Sequence, residues 1–265
     1  MDAVVSIQHE TGARLAVAER IARSAGRMAQ GFRRRSGVLT IEAKRSPQDL
    51  VSEADRSVER HLRRAIGKSF PGDAVIGEEA GTSAGRSPYA WVIDPIDGTM
   101  PFLVGQPNWT ISVAVVRDGE PVAGVVHAPM LRETYTAQAG CGAALNGRPL
   151  ILNADWTIRS SAIGFGANDR ADPEGAGRFV TALYAEGGVM FRVGSGALML
   201  AYVAANRLAG YYDPTVYAWD SLAGVVLIRE AGGRAEFAGN LEAPGPLWAG
   251  NDAVYADLRR LSGAE

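Results

Sequence analysis

Trp91-Val-Ile-Asp-Pro-Ile-Asp-Gly-Thr99 is the segment that best indicates how this chain folds. It begins as a β-branched apolar run, typical of a buried strand, and it ends in two carboxylates three positions apart, a glycine and a hydroxyl. Pro95 disfavours helical geometry at the residue before it, so we expect the strand to end at Asp94, with this side chain at the edge of a sheet. Gly98 permits a tight turn into a helix, whose first N–H groups favour phosphate oxygens.

The two carboxylates of this segment, Asp94 and Asp97, would repel a phosphate bound beside them. Two like charges about 4 Å apart cost roughly 4 kcal/mol at an effective dielectric of about 20, and a divalent cation between them removes this repulsion. Ligand atoms that are all oxygen favour a hard cation such as Mg²⁺ over Zn²⁺. The segment therefore predicts a metal-dependent phosphate site.

Other acidic residues also lie at predicted boundaries of helices and strands, where α/β folds gather their ligand groups. Asp55 is in the first turn of a helix, Glu78 and Glu79 follow a strand, and Asp220 begins a helix. Taken singly, each could instead stabilise a helix dipole or a solvated turn. If these carboxylates share one pocket, they raise one another's pKa unless cations are bound. The sequence alone does not show that they converge.

The composition is that of a soluble globular protein, with 47% hydrophobic and 21% charged residues in a chain of 265. Acidic residues outnumber basic ones by 29 to 27, so the net charge gives no reason to expect a nucleic acid or a membrane surface as partner. The one basic run, Arg33-Arg34-Arg35, is expected to be a solvated helix end.

The expected compartment is the cytoplasm. A single cysteine, Cys141, excludes an internal disulfide framework and fits a reducing environment. The apolar stretch 196–205 is too short to cross a bilayer, and the first residues lack the pattern of a signal peptide.

Hydrophobic periodicity predicts an α+β first half and an α/β second half. We therefore divide the chain into residues 1–150, which would bind metal and phosphate, and residues 151–265, which would complete the site. Ser52 and Asp55 predict a capping box at the start of the second helix. Helices are expected at 7–34, from 52, at 174–186, 195–206, 219–231 and 251–262, and strands at 38–43, up to 77, and at 90–94, 110–116, 122–127, 134–138, 161–165, 189–192 and 208–212.

Taken together, the acidic motifs resemble those of the inositol monophosphatase family. The resemblance implies a five-layer αβαβα sandwich, usually as a homodimer, that hydrolyses phosphate monoesters with Mg²⁺ and is commonly inhibited by Li⁺. The spacing of the motifs makes a chance match negligible, and the resemblance covers nearly the whole chain. The residues that carry it are Glu78-Glu79, Asp94–Thr99, Trp219-Asp-Ser-Leu-Ala-Gly and Glu230-Ala-Gly-Gly, with Lys44, 49–55 and 194–197.

The resemblance also implies a role for each site residue. Two to three Mg²⁺ ions would be bound, the first by Glu78, Asp94 and the carbonyl of Ile96, the second by Asp94, Asp97 and Asp220, and a weaker third by Glu78 with waters. A metal-activated water would be oriented by Thr99, hydrogen-bonded to Asp55, and Glu78 is also counted as catalytic. The amides of Gly98 and Thr99 would bind phosphate. Asp97, Gly196, Asp213 and Asp220 would contact the substrate, and Glu79 and Lys44 would support the ligands from behind.

Departures from the usual family pattern leave the substrate open. Met100-Pro101-Phe102 stands where many members have Thr-Asn-Phe, and Gly196 replaces a common alanine. Inositol-specific members have a glutamate at the position of Asp213, whereas Asp213-Pro214 is similar to histidinol-phosphate phosphatases. The default substrate among small polyol and sugar monophosphates is inositol monophosphate, and the alternative is histidinol phosphate. A bisphosphate-nucleotide phosphatase is disfavoured because no extra basic cluster flanks the motifs, and a function of another class would be binding to transcription or RNA machinery.

Overall fold

The computed structural model describes residues 2–35, 41–43 and 50–264. Lys44, expected to support the metal ligands, lies outside these residues. The helices are α1 (Asp2–Arg35), α2 (Glu53–Ser69), α3 (Thr99–Leu103), α4 (Pro173–Ala185), α5 (Gly196–Ala204), α6 (Ala218–Glu230) and α7 (Asp252–Leu261). The strands are β1 (Ile41–Ala43), β2 (Leu50–Ser52), β3 (Ala74–Gly77), β4 (Gly81–Ser83), β5 (Tyr89–Asp97), β6 (Thr110–Arg117), β7 (Glu120–Ala128), β8 (Glu133–Gln138), β9 (Gly142–Leu145), β10 (Arg148–Leu150), β11 (Ile163–Phe165), β12 (Met190–Phe191), β13 (Gly210–Val216), β14 (Arg234–Phe237) and β15 (Gly245–Gly250).

Two sheets form the body of the molecule. The larger has the order β10-β9-β8-β7-β6-β5-β3-β4, and its neighbouring strands are antiparallel except for the parallel pair β3 and β5. The smaller has the order β12-β11-β13-β15-β14, in which β12, β11 and β13 run parallel. Strands β1 and β2 form a separate antiparallel ribbon.

Helices pack in pairs on the faces of these sheets and produce five layers. The pair α1 and α2 covers one face of the large sheet, α5 and α6 fill the space between the sheets, and α4 and α7 cover the outer face of the small sheet. Alternation along β5 shows why: Trp91 and Ile93 lie in the core under α1 and α2, whereas Val92 lies in the core that contains α5 and α6. The expected αβαβα sandwich is confirmed.

The core between the two sheets joins both halves of the chain. It contains Val126 of the large sheet and Leu247 of the small sheet. Leu150 ends β10, the last strand of the large sheet. The division into residues 1–150 and 151–265 stays a prediction.

The expected end of β5 at Asp94 is wrong. The strand continues to Asp97, and it pairs Asp94 with Ser112 and Asp97 with Thr110 of β6. Three steps along β5 therefore match two along β6, so β5 carries an extra residue next to Pro95, which is a β-bulge. A bulge tolerates a proline because the missing N–H is not needed by the ladder there.

Two other expectations about α1 and α2 had different outcomes. The capping box of α2 is confirmed, since Ser52 N–H donates to Asp55 Oδ2 at 2.9 Å and the Ser52 side chain accepts in return from the first turn. Arg33 is more than a solvated helix end, because its guanidinium donates to the carbonyls of Gly105 and Gln106 behind α3. Within the described residues, no helix has the length and apolarity needed to span a membrane.

Candidate metal and phosphate site

Three aspartates meet where β5 ends and α6 begins. Asp94 and Asp97 come from β5, Asp220 comes from the first turn of α6, and one carboxylate oxygen of each lies within 4.8 Å of the others. Asp94 and Asp97 are buried and Asp220 is partly exposed. Side chains three positions apart point to opposite faces of a regular strand, so the bulge is what turns Asp94 and Asp97 to the same side.

These carboxylates line an open cavity of about 720 Å³. Most of the residues predicted from the sequence also line it, whereas Asp55 and Glu79 are not part of the lining. The predicted site residues in the lining are Glu78, Asp94, Ile96, Asp97, Gly98, Thr99, Gly196, Asp213 and Asp220.

The orientation of Asp97 is fixed by hydrogen bonds from the start of α5. Its Oδ1 accepts from the N–H of Gly196 at 3.1 Å, and its Oδ2 accepts from the N–H of Ala197 at 3.0 Å and from the hydroxyl of Ser195. Thr110 on β6 donates its hydroxyl to Oδ2 at 3.1 Å. This network ties the large sheet to the helix between the sheets and leaves Asp97 little freedom to turn away from the cavity.

Burial raises the pKa values of the three aspartates, and for Asp94 and Asp220 the charges of neighbouring carboxylates add to the shift. The pKa of Asp94 lies well above its ordinary value because the group is buried and faces the charges of Glu78, Asp220 and Asp97. Burial, followed by the charges of Asp97 and Glu78, raises the pKa of Asp220 in the same way. Burial raises the pKa of Asp97 to about 6, although its hydrogen bonds, with that from Ser195 first, oppose the shift.

This donor set fits a hard divalent cation. The raised pKa values of Asp94 and Asp220 mean that their negative charges are unfavourable when no cation is bound between them. A divalent cation at this position would remove the repulsion. The side-chain ligand atoms of these aspartates are all oxygens, which suits Mg²⁺. Ile96, whose carbonyl would add a further oxygen, also lines the cavity.

Glu78 reaches the same cavity because β3 lies parallel to β5. Gly77, the last residue of β3, pairs with Ile93, and the N–H of Glu78 donates to the carbonyl of Ile93 at 3.4 Å. Carboxyl ends of parallel strands meet at one edge of a sheet, which brings Glu78 beside Asp94. The charge of Glu78 raises the pKa of Asp94 and of Asp55.

The expected hydrogen bond between Thr99 and Asp55 is not formed. The Thr99 hydroxyl donates to the carbonyl of Ile96 at 3.3 Å, and Asp55 Oδ2 accepts from the N–H and hydroxyl of Ser52 at 2.9 and 2.5 Å. The capping box therefore occupies one oxygen of Asp55, and the other, Oδ1, is buried without a hydrogen-bond partner. Burial raises the pKa of Asp55 to about 6.

Gly98 makes the turn from β5 into α3 possible. Its φ of +91° is in the left-handed region, and a Cβ at this position would lie 2.9 Å from the carbonyl oxygen of Asn108 and 3.1 Å from Cβ of Ser195. No larger residue fits there. The backbone of Gly98 and Thr99 therefore passes directly along the cavity wall.

The part of the cavity wall around Tyr211 contains Asp213 and Gly196. Asp213 is buried, and it accepts hydrogen bonds from the hydroxyl of Tyr211 and the N–H of Thr215, both at 2.9 Å. Burial raises the pKa of Asp213 to about 6, and these hydrogen bonds and two nearby arginines oppose the shift. A Cβ at Gly196 would lie 3.2 Å from the hydroxyl of Tyr211, so the absent methyl leaves room beside this group.

The two arginines on this wall, Arg170 and Arg192, were missed by the sequence reasoning. Both line the cavity, and Nε of Arg170 is buried without a hydrogen-bond partner among the described residues. Tyr217 lies 5.1 Å from the guanidinium of Arg170 and stacks on Trp219 at 4.5 Å. The sequence holds one usable signal: both arginines follow strands, β11 and β12, whose carboxyl ends meet at one edge because they run parallel.

The sequence matches the family model described as inositol monophosphatase family over residues 12–248. An inositol-1-monophosphatase of Rhizobium meliloti is 39% identical over 223 residues, which are 82% of this chain and 84% of that protein. A protein of Pseudomonas aeruginosa named Nus factor SuhB is 34% identical over 254 residues, which are 92% of this chain and 93% of that protein.

Solved structures show the same architecture. The crystal structure of the extragenic suppressor protein suhB from Bartonella henselae superposes with a TM-score of 0.88 at 30% identity. The superposition covers 94% of this chain and 98% of that one. The likeness therefore includes both sheets and all five layers.

Proposed function

The chain belongs to the inositol monophosphatase family and is a phosphoric monoester hydrolase, and from that premise we propose that it releases phosphate from small polyol or sugar monophosphates with Mg²⁺, inositol monophosphate being the default substrate. The observation that carries this proposal is the meeting of Asp94, Asp97 and Asp220 on one cavity wall. An anionic ester can approach these carboxylates only if cations are bound to them.

We assign two to three ions to this wall. Glu78, Asp94 and the carbonyl of Ile96 would hold one, Asp94, Asp97 and Asp220 would hold a second, and Glu78 would support a weaker third. When bound, such ions lower the pKa of a water molecule and stabilise the charge that develops on the leaving oxygen. The contribution of the chain is to hold the ligands in place, as α5 does for Asp97.

Groups of the chain itself would place the ester and the attacking water. Gly98 and Thr99 line the cavity, and their N–H groups would donate to phosphate oxygens. Asp55 and Thr99 would orient the water, and with a pKa of about 6 Asp55 is mostly ionised at neutral pH and able to accept a hydrogen bond. This role requires the Thr99 hydroxyl to leave the carbonyl of Ile96. Glu79 would support the ligands from outside the cavity.

Charges near Asp213 favour a neutral polyol over histidinol as the leaving group. Arg170 and Arg192 both lower the pKa of Asp213, so the negative charge of this residue already faces two cations. The ammonium group of histidinol would meet the same two arginines. Hydroxyl groups, in contrast, can accept from an arginine and donate to an aspartate.

A substrate panel tests the proposed function. Purified full-length protein is assayed for phosphate release from inositol 1-phosphate, histidinol phosphate, fructose 1,6-bisphosphate and a nucleoside monophosphate, with Mg²⁺, with EDTA and with added Li⁺. We expect turnover that needs Mg²⁺, falls with Li⁺, and is highest in kcat/KM for inositol 1-phosphate. Equal turnover in EDTA, or none with any ester, would contradict the proposal, and a preference for histidinol phosphate would select the alternative substrate.

A second candidate function, binding to transcription or RNA machinery, is favoured by a basic surface. Helix α1 has seven arginines against three acidic residues, and α2 has five basic against three acidic residues, although the whole chain has a net charge of −2. Exposed members of this outer layer are Arg20, Arg27, Arg34, Arg60 and Arg64. Although the net charge of the chain is close to zero, its basic residues are concentrated on this surface, which therefore suits an anionic partner. The test measures binding of single-stranded RNA. Binding that is retained by Asp220→Asn but lost in the double variant Arg27→Glu/Arg64→Glu would support this role. Absence of binding by the wild type would exclude RNA as the partner.

The oligomeric state and the compartment also remain proposals. We propose a homodimer in the cytoplasm, on the basis of family membership and of the single cysteine. Light scattering during gel filtration measures the mass in solution. A monomeric mass would contradict the dimer.

A further inference from the structure

Glu59 is a buried carboxylate on α2 for which the proposed reaction has no use. It is 1% exposed. Its Oε2 accepts the N–H of Glu79 at 2.7 Å, and its Oε1 accepts the N–H of Ala80 at 3.0 Å. These two donors directly follow Glu78, the proposed metal ligand, in the turn between β3 and β4.

Arg63, one helical turn after Glu59, completes the contact with this turn. Its Nε donates to Glu59 Oε1 at 2.7 Å, which pairs the two charges in the buried site. Its other nitrogens donate to the carbonyl of Val75 at 3.3 Å, to the hydroxyl of Ser83 at 3.0 Å and to the carbonyl of Gly81. The Glu59–Arg63 pair therefore holds β3, the turn and β4 at once.

The packing around this pair leaves no spare room. A Cβ added at Gly77, the residue before Glu78, would lie 2.5 Å from Glu59 Oε1 and 2.8 Å from Arg63 Nη2. Only glycine lets the strand approach the carboxylate so closely. Glu59 therefore contacts the chain on both sides of Glu78. It packs against Gly77 on one side and accepts the N–H groups of Glu79 and Ala80 on the other.

We propose that Glu59 is a positioning residue for Glu78, which sets the backbone of the turn so that the Glu78 carboxylate is presented to the cations. The inference rests on the proposed role of Glu78 as a metal ligand. Strand β3 ends at Gly77, so strand pairing fixes the chain only up to that point, and the N–H of Glu78 has a longer hydrogen bond of 3.4 Å. The two short hydrogen bonds to Glu59 fix the residues that follow. Groups that orient a metal ligand typically affect metal affinity by 10–100-fold.

The test compares Glu59→Gln with Asp73→Asn. Asp73 is a matched control because it is also a buried carboxylate paired with an arginine, Arg14, at 2.8 Å. Its other hydrogen bonds come from Ser87 and Trp91, so it does not hold the turn that follows β3. Two measurements are made on each variant: Mn²⁺ binding to substrate-free protein by electron paramagnetic resonance, and the Mg²⁺ concentration for half-maximal phosphate release. Thermal unfolding gives the structural effect.

We expect Glu59→Gln to weaken Mn²⁺ binding by roughly tenfold or more and to raise the Mg²⁺ requirement in proportion. Its glutamine NH₂ would face one of the backbone N–H groups or Arg63, so the turn cannot keep all its hydrogen bonds. Asp73→Asn should lower the melting temperature at least as much but leave both metal measurements within about twofold, since its effect is on the core alone. Unchanged Mn²⁺ binding in Glu59→Gln, or equal losses in both variants, would overturn the inference.

A second pair of variants serves if Glu59→Gln does not fold. Gly77→Ala pushes a methyl group against Glu59, whereas Gly67→Ala adds one on α2 where nothing lies within 4 Å. We expect weaker Mn²⁺ binding in the first only, and equal binding in both would overturn the inference. A wild type that neither binds Mn²⁺ nor hydrolyses any ester refutes the proposed function itself, whereas wild-type binding with unchanged variants refutes only the role of Glu59.

Discussion

The two walls of the cavity differ in how their charges are balanced. The metal wall (Glu78, Asp94, Asp97 and Asp220) brings together charges of one sign, and burial and these charges raise the pKa values of Asp94 and Asp220. On the substrate wall (Arg170, Arg192, Tyr211 and Asp213) a carboxylate faces two arginines and a phenol. The metal wall is therefore complete only with cations, whereas the substrate wall is balanced by the chain itself.

This difference separates stability from selectivity. A charge removed from the metal wall relieves repulsion in the metal-free protein but destroys a ligand, so stability and activity should change in opposite directions. A charge removed from the substrate wall alters contacts with the leaving group, and most of the chemistry should survive. The predictions below test this separation, beginning with the largest expected effect.

Asp220→Asn should have the largest effect. We expect Mg²⁺-dependent turnover to fall by more than about 100-fold, because a ligand is worth at least as much as the groups that orient it. The melting temperature in EDTA should rise, because Asp97 and Glu78 no longer face an added charge at this position. Steady-state kinetics and thermal unfolding measure the two effects. Wild-type turnover by Asp220→Asn, or a lower melting temperature in EDTA, would show that the charges of the metal wall are not balanced by cations in the way proposed here.

The stability of the metal-free protein should depend on pH in a direction set by its buried carboxyl groups. The pKa values of Asp97 and Asp55 are raised from 3.8 to about 6. Between these values the folded state binds more protons than the unfolded state, so stability should fall as the pH rises from about 4 to about 6, by about 3 kcal/mol per group at most. Saturating Mg²⁺ should remove the part due to Asp97 and add stability by mass action.

Urea unfolding at about pH 5 and about pH 7, with EDTA and with Mg²⁺, measures this dependence. Asp97→Asn should make the free energy of unfolding in EDTA less dependent on pH. Asp213→Asn, on the substrate wall, is the comparison variant, because the Asp213 carboxyl has a similar pKa of about 6 but no proposed cation. If Mg²⁺ reduced the pH dependence as strongly in the absence of Asp97 as in its presence, Asp97 would not be the source of the Mg²⁺-sensitive part.

Most of the metal wall could be predicted from one continuous segment, because its geometry is local. Asp94, Asp97, Gly98 and Thr99 are brought together by a bulge and a turn within six residues. The bulge itself was not predicted, since Pro95 indicated a break and the register with β6 decides between a break and a bulge. The Thr99–Asp55 hydrogen bond was also wrongly predicted, because the Thr99 hydroxyl donates to the nearby carbonyl of Ile96 and leaves Asp55 Oδ1 without a partner.

The substrate wall could not be predicted in the same way. Arg170, Arg192 and Asp213 lie in three separate segments, and only the order of the small sheet, β12-β11-β13, brings them together. That order depends on long-range packing. The short strands β14 and β15, which complete the sheet, were also absent from the predicted elements, because their few apolar residues are interrupted by glycine, proline and charges. The net charge of the chain likewise does not predict that Arg170 and Arg192 lie together at the cavity.

Arg170→Gln should have a moderate effect confined to substrate binding. We expect KM for inositol 1-phosphate to rise by about 5- to 20-fold with little change in kcat, since a hydrogen bond from a charged group contributes about 1.5–3 kcal/mol and part of it is retained by glutamine. Nε of Arg170 has no hydrogen-bond partner among the described residues, but the Arg170 charge faces Asp213 and its guanidinium lies against the Tyr217 ring, so the melting temperature should fall slightly. p-Nitrophenyl phosphate, whose leaving group has no hydroxyls to bind, is the control substrate. A fall in kcat with both esters would place Arg170 on the metal wall in function.

Gly196→Ala should have the smallest effect, and Gly98→Ala on the other wall is its matched comparison. At Gly196 the new methyl would lie 3.2 Å from the Tyr211 hydroxyl, which can move by a few tenths of an ångström, so KM should change by no more than about threefold. Alanine is the better helix former by up to about 1 kcal/mol, and stability should hold or rise slightly. At Gly98 the methyl would lie 2.9 Å from the backbone carbonyl oxygen of Asn108, and alanine would have to adopt a φ of +91°, so the backbone itself must shift. Kinetics and melting temperatures of both variants measure the contrast. A larger loss of activity and stability in Gly196→Ala than in Gly98→Ala would contradict this expectation. It would mean that the substrate wall is more tightly packed than the turn beside the metal ligands.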